Sequence, residues 1–136
     1  MKKLLLVFTL LFLVGCGKNF NQDFYAKNLL ENRGFAIVQH QENLKCLRKF
    51  SGVLRYTDFL IIPKSEFEDG DIDKTFNANL KKYSGIGNQI IAHEKNYVEL
   101  LNPFGLKTFI YKDKDSIIIV SGNGDDYPLI TADLIK

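Results

Sequence analysis

The chain has 136 residues, with 18 Lys and Arg against 16 Asp and Glu and a formal net charge of +2. That balance lacks the global basic footprint of a nucleic-acid-binding protein, so no nucleic-acid partner is expected. The length suits one domain with its own core.

Lys2 and Lys3 precede an apolar run from Leu4 to Val14, broken only by Thr9. Eleven residues are too few to cross a hydrocarbon core, which needs about 20. They fit the apolar region of a secretory signal peptide, which is about 7–15 residues. The run closes on Leu13-Val14-Gly15-Cys16, which resembles the lipobox of bacterial lipoproteins. The resemblance implies a diacylglyceryl group on the Cys16 sulfur, cleavage between Gly15 and Cys16, and acylation of the new amino terminus. Gly17, not Asp, follows the cysteine. The resemblance therefore implies the outer membrane if the host is Gram-negative.

Three consequences follow from that processing. Removing residues 1–15 leaves 121 residues and takes away two lysines and no acids, so the mature chain is neutral at 16 against 16. A neutral chain gives no reason to expect attraction to anionic head groups. Cys46 is left without a partner, and its neighbours Leu44 and Leu47 suggest a buried small hydrophobe over a redox thiol. Residues 16–20 are a short tether. Four extended residues reach about 14 Å, which keeps the domain at 21–136 close to the bilayer surface.

In the domain, residues 21–33 read as a helix with Tyr25 above Leu29 and Ala26 above Leu30, Asn21 as its cap and Gly34 as its stop. Residues 35–38 read as a strand. Residues 44–51 fit either a strand or a short helix, and residues 53–63 read as a strand ended by Pro63, with Phe59 to Ile62 apolar on both faces. A second helix fits residues 71–83, where Ile72, Phe76, Leu80 and Tyr83 share one face. Lys81 and Lys82 complement its last turn, and Gly85 stops it. Strands at 90–94, 97–101, 107–112 and 116–121 then form a meander. The stretch "SGNGDDYP" reads as a loop, and residues 129–135 as a short strand or last helical turn. The expected fold is α+β, with two helices packed on one face of a mainly antiparallel sheet that ends in a C-terminal β meander.

Candidate chemistry is sparse. Asp69, Asp71 and Asp73 alternate as in a calcium loop. However, Lys74 stands where the sharp turn needs Gly, and Leu80 where a bidentate Glu should close the site. Acids at a helix start explain the run better. "SGIGNQ" lacks the third Gly and the Lys of a phosphate cradle. His40 and His93 lack metal-ligand spacing, and no nucleophile elbow accompanies them. No catalytic residue, metal or cofactor is therefore assigned. Phe104, at the tip of "NPFG", and Tyr127, in "DDYP", are the candidate partner contacts, because aromatic side chains in turns serve as anchors. The resulting expectation is a non-enzymatic, lipid-anchored interaction module in the bacterial envelope. It would hold the membrane through Cys16 and bind an envelope protein, as an accessory subunit or an inhibitor or immunity-type protein. The alternative is an envelope hydrolase or small-ligand binder, which needs a pocket joining a histidine, an Asp and a nucleophile.

Overall fold

The computed structural model describes residues 21–38 and 44–136. Helix α1 (Gln22–Asn32) begins where the Asn21 side chain accepts a hydrogen bond from the Phe24 N–H at 2.9 Å. Strands β1 (Ala36–Val38), β2 (Lys45–Gly52) and β3 (Arg55–Pro63) follow. Two single turns of 3₁₀ helix, Lys64–Glu66 and Glu68–Gly70, lead into α2 (Ile72–Ser84). Strands β4 (Gln89–His93), β5 (Tyr97–Leu101), β6 (Lys107–Lys112) and β7 (Ser116–Gly122) come next, and α3 (Asp126–Leu134) closes the order.

The seven strands form one sheet in the order β1-β2-β3-β7-β6-β5-β4, and every neighbouring pair is antiparallel. It is two meanders, β1 to β3 and β4 to β7, joined where β3 pairs with β7 and Phe59 lies opposite Val120. The ambiguous stretch at 44–51 is thus resolved as a strand, paired on both sides.

The α+β class, the antiparallel sheet and the second meander agree with the sequence expectation; the placement of the helices does not. Successive residues Phe59 to Ile62 and Ile117 to Val120 are all buried, so both faces of the central strands need cover. On one face, Ala26 and Leu29 of α1 and Ile130 and Leu134 of α3 pack with Leu47, Phe59, Phe109, Ile118 and Val120. On the other, Phe76 of α2, flanked by Ile72 and Leu80, packs with Leu60, Ile62, Leu100, Ile110 and Ile119. The two helices expected side by side lie on opposite faces, and a third helix joins α1.

That third helix stands where a loop and a short terminal element were expected. Pro128 is its third residue, within the first turn, where a backbone N–H has no intrahelical acceptor and proline costs little. Tyr127, Ile130 and Leu134, spaced by three and four, form its buried stripe.

The registers put five connections at one end of the sheet. Gly52 lies opposite Arg55, Leu101 opposite Lys107, Lys107 opposite Gly122, and Gln89 opposite Leu101. The β2–β3, α2–β4, β5–β6 and β7–α3 connections therefore share that end, called here the tip end, and β1, whose Ala36 lies opposite Arg48, brings the α1–β1 connection to it. The β3–α2, β4–β5 and β6–β7 connections share the other.

Candidate functional site

The tip end carries large apolar side chains in water. Val53 and Leu54 form the β2–β3 turn at 93 % and 83 % exposure, and Phe104 stands at 88 % in the β5–β6 turn. Ile86, between Gly85 and Gly87, and Phe50, near the end of β2, are exposed as well. Each such side chain forgoes about 1.5–3 kcal/mol relative to burial. Scattered exposed residues are ordinary, but several sharing one end of a small domain make that end a candidate site.

The turns hold these side chains outward by local bonding. The Asn102 side-chain oxygen accepts from the Phe104 N–H at 2.8 Å and the Leu106 N–H at 2.9 Å, an Asx-type closure that fixes the turn beneath Phe104. Gly105 completes it at φ 88°. The β7–α3 loop is bound to β3: the Asn123 and Gly124 N–H groups donate to the Tyr56 carbonyl at 3.0 and 2.8 Å, and the Tyr56 N–H donates to the Asn123 side chain at 3.1 Å. Gly122 is required there, since at φ 123° an added Cβ would lie 2.1 Å from the Tyr56 carbonyl oxygen. Between the turns runs a cleft of about 330 Å³ lined by Tyr56, Tyr83, Ile86, Phe104 and Lys107, among others.

A polar cluster joins α1 and α3 behind the sheet. The buried Asp126 carboxylate lies 3.0 Å from Lys49 and 3.7 Å from Arg33, and Arg33 also reaches Asp133 at 3.7 Å. The Tyr25 hydroxyl donates to Asp133 at 2.5 Å. The Tyr127 hydroxyl donates to Glu99 at 2.7 Å, and burial together with that carboxylate pushes the phenol well above its usual range. These groups are engaged in holding α3 to the sheet and to α1. On the opposite face, Arg48 makes a two-pronged contact with Asp58 at 2.6 and 2.9 Å, with its guanidinium over the Tyr56 ring.

The residues singled out in the sequence fall in different places. Phe104 is an exposed tip. Tyr127 is 4 % exposed and points into the core, so it is not a surface aromatic. Cys46 is buried, and burial, with Asp58 adding to it, pushes its thiol up to about 11, away from the reactive thiolate. Asp71 caps α2 by accepting from the Asp73 and Lys74 N–H groups, Asp69 pairs with Lys74, and Asp73 pairs with Lys112. Among the described residues, no three His, Cys, Asp or Glu side chains converge as a metal-ligand group. His93 is exposed at the end of β4 opposite the tip end. Gly15, Cys16 and His40 lie outside the described residues. No helix among the described residues is long and apolar enough to cross a membrane.

The sequence reading placed Val53 and Leu54 at the start of a strand, whereas β3 begins at Arg55 and the two form the turn before it, and it passed over Ile86. The signal was there: an apolar pair straight after Gly52, between two segments of strand character, belongs to a turn and not to a strand. Family models, curated proteins and solved structures were all compared with this chain, and none matches it.

Proposed function

We propose that this chain is a lipid-anchored bacterial lipoprotein that works in the cell envelope as a small non-catalytic binding module, of the accessory-subunit or inhibitor and immunity type. The attachment rests on the Leu13-to-Cys16 lipobox. The binding role rests on one observation: Phe50, Val53, Leu54, Ile86 and Phe104 are exposed together at one end of a domain whose other large apolar residues mostly face two packed cores. Anchoring would confine the domain to a thin layer at the membrane and raise the effective concentration of that end for whatever it contacts. His93 stands at the other end of the sheet from the cleft, which favours binding over hydrolysis.

The test is Cys16→Ser in the native host. The expected outcome is loss of lipid labelling and of processing at Gly15–Cys16. Normal processing with unchanged membrane fractionation would sink the anchoring. For the binding role, a photoreactive residue at position 104 should give crosslinks in the envelope, to protein or to lipid, that one at exposed Glu31, on α1, does not. Equal labelling from both positions would sink it.

A further inference from the structure

We infer that the tip end docks on an anionic bilayer surface. The inference rests on reading the tip cluster as the binding surface, and it names what that surface meets.

The first argument is charge. The mature chain is neutral overall, but its charges are segregated. Beside the apolar tips, Lys81 and Lys82 in the last turn of α2 and Lys107 at the start of β6 are exposed, and none has a salt-bridge partner among the described residues. At the tip end Asp125 stands at the N-cap of α3 and Asp126 begins it, and both are paired, Asp125 with Arg55 and Asp126 with Lys49 and Arg33. At the opposite end, the stretch from Lys64 to Lys74 alone carries five acids against two lysines. A zero net charge thus hides a basic tip end. Unpaired lysines around protruding apolar groups match a surface of anionic head groups over hydrocarbon.

The second argument is shape. Val53 and Leu54, Ile86, and Phe104 project from three separate connections. The β2–β3 and β5–β6 turns are three strand spacings apart, about 14 Å. A protein partner would need three matching sockets at those positions. A fluid head-group layer accommodates separated points without complementarity, and each point gains the burial it lacks in water. Tyr56 and Tyr83, half-buried just behind the tips, are the amphipathic rings that prefer the level of the head groups.

The chain contains no tryptophan, so one placed at a tip reports from that position alone. The processed full-length protein carrying F104W, and separately V53W, is combined with vesicles of phosphatidylcholine plus phosphatidylglycerol whose acyl chains are brominated. Both positions are exposed, so neither substitution disturbs the core. The expected result is blue-shifted emission and bromine quenching at both positions. In F104W, replacing the three lysines (K81Q, K82Q and K107Q together) should lower the docked-to-undocked ratio by about 100-fold, given the contribution of each basic residue near an anionic surface. Water-like, unquenched emission from both tips would overturn the docking. So would an envelope protein crosslinked at position 104 in place of lipid quenching, or quenching unchanged by the lysine replacements. The fluorescence reads the tips and the Cys16 fractionation reads the anchor, so either can fail without the other.

Discussion

The two faces of the sheet are covered by different means. Over one face, α2 is a 13-residue helix with its own punctuation: Asp71 caps its start, Lys81 and Lys82 close its last turn, and Phe76, Ile72 and Leu80 supply an aliphatic and aromatic stripe. Over the other, α3 has nine residues and no side-chain cap bond at its N-terminus. A helix that short has little stability of its own. It is held from outside, by Asp126 between Lys49 and Arg33, by Asp133 with Arg33 and Tyr25, and by Tyr127 on Glu99. A well-punctuated helix can rest on apolar packing, whereas a short one needs polar cross-links to a neighbour and to the sheet.

The largest test of that contrast removes the buried carboxylate. Asp126→Ala leaves Arg33 and Lys49 without their shared partner, although both reach water in part. We expect a loss of about 2 kcal/mol, below the full cost of breaking a buried pair because the cations can hydrate. Asp58→Ala on the α2 face should cost about 1 kcal/mol, since Arg48 is more exposed. Urea denaturation of both variants with unchanged m-values measures the difference. Equal losses would mean that the two faces do not differ in their dependence on ion pairs.

A smaller effect belongs to Tyr127→Phe. It keeps the ring in the core and removes the hydrogen bond to Glu99, at an expected cost of about 1 kcal/mol. Hydrogen exchange should show the loss concentrated in α3, with α2 unaffected. Faster exchange spread evenly over both helices would show that α3 is not separately tethered.

The same contrast explains what the sequence disclosed. α2 was legible because its cap, stripe and stop are all local, and so were β5 and β6, whose bounds agree to the residue. α3 was not, because its punctuation is tertiary: Asp126 reads as a loop acid until Lys49 and Arg33 are placed around it, and Pro128 reads as a breaker until it is known to stand in the first turn. The face on which each helix lies was hidden for a related reason. Phe59 to Ile62 and Ile117 to Val120 are apolar on both sides, so periodicity cannot say which face a neighbour will take. At the tip end, Phe104 was readable from its turn. The convergence of Val53, Leu54 and Ile86 with it depends on strand order, which is set by the long-range pairing of β3 with β7.

The smallest prediction concerns Cys46, an ionisable group inside the apolar α2 face. Its thiol is pushed up from a usual value of 9 to about 11, first by burial and then by Asp58. Between pH 9 and 11 the unfolded chain gives up this proton while the folded chain keeps it. The folded state then binds more protons, so stability falls as pH rises through that window and levels off above it. Tyr25, Tyr111 and Tyr127 on the other face, and Tyr83 on this one, are raised from 10, so they act in the same direction with an onset about one pH unit higher. The tyrosines are common to the wild type and Cys46→Ala, so the difference between the two isolates the thiol. From pH 9 to 11 the melting temperature of the wild type should decline, and that of Cys46→Ala, lower in absolute terms for the lost packing, should decline less. Parallel slopes would show that the thiol ionises in the fold as readily as in the unfolded chain, and that the α2 face admits water where its packing says it is dry.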